Sequence, residues 1–212
     1  MNSLPALAQN FKSFDDLEVA YKEGVHYRIA ISRGHHPQIA VIAPHGGAIE
    51  RPTSQIAADI ARDDFSCYLF EGIRKANNYK ALHLTSEYFD EPRCLEFIAG
   101  CDRVVTVHGC DGDEIAVLLG GLDAELTALI ADALAAEEVV AKLSGHQFFG
   151  TKTTNICNRG RSGVGAQMEL TAALRKSPAT VANVVRAVRG VLLRLAALGN
   201  APRATCESHL NP

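Results

Sequence analysis

Short β-rich runs alternate along this chain with amphipathic helical stretches, and that alternation constrains the fold more than any other feature. The runs HYRIAIS, QIAVIAPH, SCYLFEG, ALHLTS, RVVTVHG and IAVLLGG read as strands, followed by VVAKLS, NICN and QMELT. Between them TSQIAADIARDD, EPRCLEFIAGC and DAELTALIADALAAEE read as helices, as does the segment from Thr180 to Leu198. Strands interleaved with helices pair in parallel through helical crossovers, so the pattern predicts an α/β fold: a three-layer sandwich with a mixed, partly parallel sheet. At 212 residues the chain fits a single domain. Residues 1–25 are expected to form an N-terminal extension and 203–212 a flexible tail.

Composition removes several function classes. With 47% hydrophobic and 21% charged residues the chain has an ordinary globular balance, and its net charge of −3 gives no basic field for nucleic acid. The N-terminus has neither the basic start nor the apolar run of a secretory signal, and no stretch reaches the ~20 apolar residues of a membrane span. The most apolar segment, Thr180 to Leu198, is broken by Asn183, Arg186, Arg189 and Arg194. A monomer is expected, cytoplasmic when synthesised and open to release by lysis, with no nucleic-acid or membrane partner. The six cysteines (Cys67, Cys94, Cys101, Cys110, Cys157, Cys206) show no CxxC pair, and in such a setting they read as buried thiols.

Three of the β-like runs end on an ionisable residue followed by glycine: His45 after QIAVIAP, Glu71 after SCYLF and His108 after RVVTV. Ligands of open α/β sheets bind beyond the carboxyl ends of the strands, so these ends point to one site. In APHGGAIE, Gly46 and Gly47 permit a tight turn that can bring Glu50 back towards His45. Two histidines and a carboxylate form the ligand set of many catalytic zinc sites, which leave a position open for water. Taken singly, His45 equally reads as a strand cap and Glu50 as a solvated acid leading a helix. Together with His108 they read as a metal site. Glu169, in GAQMELT, is the candidate general base. Strand alternation puts it on one side with Gln167, opposite Met168 and Leu170. A solvent-facing glutamate remains the other reading of this residue. His35, His36, His83 and His146 read as solvated or structural.

The ordered segments APHGGAIE, CYLFEGI, ALHLTSEYFDEPRC, VVTVHG, NICNRG and GAQMELTAALR resemble the phage-type poly-γ-glutamate hydrolase family, from about Tyr27 to Arg175. The resemblance implies a zinc-carboxypeptidase-like fold with one zinc ion. It implies His45, Glu50 and His108 as ligands, Glu169 as base, and hydrolysis of γ-glutamyl amide bonds. The partner would be an anionic polypeptide or a glutamyl amide. Arg159, Arg161, Arg175, Arg74 and Lys75 are the cations that could hold substrate carboxylates, because a guanidinium pairs with a carboxylate through two parallel bonds. Arg159, beside Asn158, is the favoured contact, and Asn158 and Arg175 complete the expected substrate-binding set. Three alternatives stay open: a zinc deacylase of small N-acyl amino acids, a non-catalytic zinc-binding module, and a cysteine hydrolase built on Cys110 or Cys157.

Overall fold

The computed structural model describes residues 11–199, so the expected tail at 203–212 and Cys206 lie outside the described residues. In chain order the elements are α1 (Phe14–Ala20), β1 (Tyr27–Ser32), β2 (His36–Gly47), α2 (Thr53–Ala61), β3 (Phe65–Gly72) and α3 (Asn78–Leu82). They continue with α4 (Pro92–Ala99), β4 (Arg103–Cys110), β5 (Ala116–Gly121), α5 (Ala124–Ala136) and β6 (Val140–Lys142). A 3-10 turn at Ile156–Arg159 precedes β7 (Ala166–Thr171), α6 (Ala172–Arg175) and α7 (Pro178–Gly199).

The strands form a seven-stranded sheet in the order β1-β3-β2-β4-β7-β5-β6. β3, β2, β4 and β7 run parallel, while β1 and the β5 side join antiparallel. The sheet is therefore mixed and partly parallel, as the alternation predicts. Winding proceeds from β2 outward to β3 on one side and then jumps to β4 on the other. The order thus reverses between β2 and β4, and the crevice at such a reversal is where ligands settle in open α/β sheets.

Alternation along the central strands divides the interior into two cores. Val41 and Ala43 of β2, Val105 and Val107 of β4, and Met168 and Leu170 of β7 pack with α2, α5 and α7. Ala40, Ile42, Val104, Tyr68 and Phe70 pack on the other face with α1, α3 and α4. Each fully buried Leu, Ile or Phe contributes ~1.5–3 kcal/mol by leaving water, so both helical layers are held by the sheet. α7 is further pinned by Arg186 to Glu137 at 2.8 Å and by the Arg189–Asp64 pair.

The structure departs from the sequence expectations at three places. Part of the expected N-terminal extension is built into the fold: Phe14 and Leu17 are buried in the second core, with Ser13 capping α1 through the Asp16 amide. ALHLTS is not a strand, because Ala81 and Leu82 close the α3 turn and the chain then runs irregularly through residues 83–86. NICN is a 3-10 turn, begun where the Asn155 side chain accepts from the Cys157 amide.

Candidate active site

His45, His108 and Glu169 stand on the three adjacent parallel strands β2, β4 and β7, and His108 is directly paired with Glu169 in the β4/β7 register. By parity His108 and Glu169 share the face of Val104, away from the core formed with α2 and α7. His45 does not follow from parity, since it lies two residues beyond Ala43, which faces the opposite layer. A register shift between Ala43 and Gly46 resolves this. Three steps along β2 there match two along β3, from Leu69 to Glu71. The extra residue is a bulge, and bulges re-aim side chains. It swings the imidazole to the side of Phe89 and Leu84.

Beyond the bulge the chain turns into α2. Gly47 is required there, because it adopts φ +61° and a Cβ would fall 2.6 Å from the Gly72 carbonyl, while at Gly46 a Cβ would displace the Ser54 hydroxyl. The turn returns Glu50 to the cluster. Glu50 Oε1 lies 3.2 Å from His45 Nδ1, and Oε2 accepts from the Gly109 amide at 2.8 Å while standing 3.9 Å from His108 Nδ1. The two Nδ1 atoms of His45 and His108 are 3.1 Å apart. All three residues are buried, at 1%, 7% and 1% exposure for His45, Glu50 and His108.

His83, expected to be solvated or structural, joins this cluster. Its Nε2 lies 3.2 Å from Glu50 Oε1, and its ring is held between His45 at 4.1 Å and Tyr79 at 4.5 Å. His45, Glu50 and His83 together form a group with donor atoms close enough to share a cation. The sequence signal for His83 was its place two residues before a polar Thr85–Ser86 pair, but reading the segment as a strand concealed it.

The donor chemistry fits a metal. His45 Nε2 lies 2.7 Å from the Leu84 carbonyl, which can only accept, so that nitrogen carries the proton and Nδ1 presents its lone pair to the cluster. A neighbouring Nδ1 and a carboxylate close by complete a set of nitrogen and oxygen donors of the kind zinc takes.

Burial and mutual contact shift the titration of these groups. Burial alone would raise the Glu50 carboxyl, but the His45, His83 and His108 imidazoles outweigh it and hold the group well below its ordinary range. Burial lowers His45, yet contact with Glu50 reverses this and leaves its pKa raised. His108 is pushed down to about 3 by burial and by His45. Glu169 is pushed up to about 9 by burial and then by the Glu50 carboxylate, with Arg175 opposing. Among the described residues, the two thiols nearest the site are held protonated, against a nucleophile of the Cys–His type: burial pushes Cys110 up to about 11 and Cys157 up to about 12.

His45, Glu50, His83, His108 and Glu169 line a cleft of about 690 Å³, together with Tyr79, Ser86, Tyr88, Phe149, Asn155 and Gln167. The expected substrate contacts are placed elsewhere. Arg159 is exposed on the 3-10 turn, near enough to Cys94 of α4 for its charge to lower that thiol, and does not line the cleft. Asn158 is 3% exposed and spends its amide on backbone groups, accepting from Leu122 and Gly165 and donating to Gly150 and Lys152. Arg175 donates to the Leu170, Cys110 and Arg51 carbonyls and packs over Gly109, behind the cleft wall. Arg161 pairs with Asp102 at 2.7 Å. Arg74 and Lys75 border other hollows.

The fold and the cluster define an α/β protein whose buried histidine and carboxylate donors open into a cleft at the carboxyl ends of parallel strands. The pattern of the family described as poly-gamma-glutamate hydrolase matches residues 11–185. The chain belongs to that hydrolase family. Among curated relatives, the UPF0714 protein YndL of Bacillus subtilis (strain 168) is 32% identical over 171 residues, covering 80% of this chain and 65% of its own. The SPbeta prophage-derived UPF0714 protein YoqZ of the same organism is 34% identical over 143 residues, 66% of this chain and 51% of its own. The chain thus spans between half and two thirds of the length of these relatives. A bacteriophage poly-gamma-glutamate hydrolase superposes with a TM-score of 0.81 at 28% identity, covering 89% of this chain and 99% of that one. A zinc-free apo form of YndL superposes with a TM-score of 0.75 at 26% identity, covering 87% and 98%.

Proposed function

We propose that this protein is a zinc-dependent hydrolase of γ-glutamyl amide bonds, acting on poly-γ-glutamate. The observation that carries the reading is the convergence of His45, Glu50 and His108 at one cleft, with Glu169 on the neighbouring strand. Family membership and the zinc-free description of the YndL structure support it. His45, Glu50 and His108 would hold the ion. When bound, zinc supplies Lewis acidity that acidifies water and polarises a carbonyl. The remaining work falls to the chain. Glu169 Oε takes a proton from the attacking water and returns it to the nitrogen of the departing amine. For this the carboxyl must be ionised, and a cation beside it would favour the charged form, opposing the burial that raises it.

One observation favours a second reading, the deacylase of small N-acyl amino acids: the described residues lining the cleft include no Lys or Arg. Incubation with poly-γ-glutamate, following chain length with and without a chelator, separates the two. Chelator-sensitive shortening supports the polymer hydrolase. An intact polymer beside turnover of N-acyl-glutamate supports the deacylase, and chelator-resistant turnover rejects zinc in both.

A further inference from the structure

One short segment reaches all three proposed zinc ligands. Following α3, the chain passes through His83, Leu84, Thr85 and Ser86. The Leu84 carbonyl accepts from His45 Nε2 at 2.7 Å. The Ser86 hydroxyl meets His108 Nε2 at 3.4 Å. His83 Nε2 meets Glu50 Oε1 at 3.2 Å. His45 and His108 are therefore each held at Nε2, the nitrogen remote from the cluster, while their Nδ1 atoms face inward 3.1 Å apart.

The segment is itself fixed at several points. The Ser86 carbonyl accepts from the Ile156 amide at 2.9 Å, and the Thr85 carbonyl from the Tyr88 amide at 2.8 Å. At its start the His83 amide donates to the Tyr79 carbonyl at 3.1 Å, and its ring is held between those of His45 and Tyr79. Just beyond it Glu87 pairs with Lys152 at 2.7 Å. Partners outside the ligand shell set ring orientation and tautomer, and losing one typically costs about 10–100-fold in metal affinity.

We propose that His83–Ser86 is a ligand-orienting clamp, in which His83 and Ser86 are positioning residues acting on Glu50 and His108 and the Leu84 carbonyl acts on His45. The inference rests on the zinc reading above and adds residues to it that the ligand motifs do not contain. The clamp acts before any substrate arrives, so its signature is metal affinity.

The test measures zinc dissociation constants by competition with a chromophoric chelator, together with the visible spectrum of the cobalt(II) form. Ser86→Ala and His83→Ala should each weaken zinc about 10–100-fold. Ser86→Thr keeps a hydroxyl and His83→Gln keeps an N–H donor, so each should recover most of the loss. The His83 pair serves as an independent arm should a Ser86 variant fold poorly. Alanine variants that both bind zinc within about twofold of the unaltered chain, against that expected loss, overturn the clamp while leaving the zinc reading intact. His83→Ala as damaging as His45→Ala, with a cobalt spectrum showing one nitrogen ligand fewer, makes His83 a ligand and overturns its positioning role. An unaltered chain that binds no zinc overturns both proposals.

Discussion

Removing the Asn158 side chain should unfasten one wall of the cleft, and its cost can be worked from the bonds that the side chain makes. Oδ1 accepts from the Leu122 and Gly165 amides, both at 3.1 Å, while Nδ2 donates to the Gly150 and Lys152 carbonyls at 2.7 and 2.9 Å. Those partners belong to the turn before α5, the approach to β7, and the loop carrying Phe149 and Gly150 along the cleft. In Asn158→Ala two amides lose a side-chain acceptor, and an orphaned buried group costs ~1–3 kcal/mol. The carbonyls suffer less where water reaches them, and the losses overlap because all share one side chain. The expected destabilisation is therefore ~3–5 kcal/mol, a large share of the ~5–15 kcal/mol that usually holds a folded chain. Urea unfolding of the zinc-free protein is the assay. With a slope of ~2–3 kcal/mol per molar for a chain of this size, the midpoint should fall by roughly 1–2 M at unchanged slope. A substrate contact would behave in the opposite way, raising KM at an unchanged midpoint. That second pattern would refute the structural assignment and restore the role expected from sequence.

Zinc should be present at about one ion per chain and be lost or greatly weakened in His45→Ala and His108→Ala, since each removes one of three protein donors; elemental analysis checks this. Glu169→Gln should retain zinc and fold but lose turnover by about two to four orders of magnitude, because an amide cannot take the proton; single-turnover kinetics decide it. Burial, and then the Glu50 carboxylate, push the Glu169 carboxyl from its ordinary value near 4.5 up to about 9. The unfolded chain therefore gives up that proton first, and stability falls as pH rises towards 9. Between pH 7 and 9 the Glu169 share of the loss should be about 1 kcal/mol per pH unit, with His45, whose pKa is also raised, adding to it, and Glu169→Gln should remove the Glu169 share; chemical denaturation at fixed pH values measures both. Iodoacetamide at pH 8 should leave activity unchanged, as Cys110 and Cys157 are both buried and pushed up to about 11 and about 12; rapid inactivation would revive the cysteine reading.

Much of this arrangement was legible in the sequence, for identifiable reasons. A buried parallel strand ending in a polar residue and glycine is a strong local signal, and His45 and His108 both carry it. Glu169 was legible because β7 alternates cleanly, placing Met168 and Leu170 in one core and Gln167 and Glu169 on the cleft side. His83 was hidden because a short apolar run such as ALHL fits a strand or a single helical turn equally well. The helix α1 was missed because its seven residues bury only Phe14 and Leu17, too few for a periodic pattern. Arg159 misled for another reason. Position in a glycine-rich loop says that a residue is near a turn, but the direction of its side chain depends on the 3-10 geometry that Asn155 initiates.

The bulge between Ala43 and Gly46 makes strand length a functional variable of a kind that composition cannot reveal. Exchange of one aliphatic residue for another in β2 alters packing by degrees. Straightening of the bulge with every residue kept acts differently, since regular alternation from Ala43 would then carry the His45 imidazole to the layer occupied by α2 and α7 while leaving both cores largely filled. In this fold, the assembly of a donor cluster is thus tied to a single unpaired unit of chain, and a strand paired regularly through it with no residue removed would give a stable sheet with its chemistry facing the wrong way.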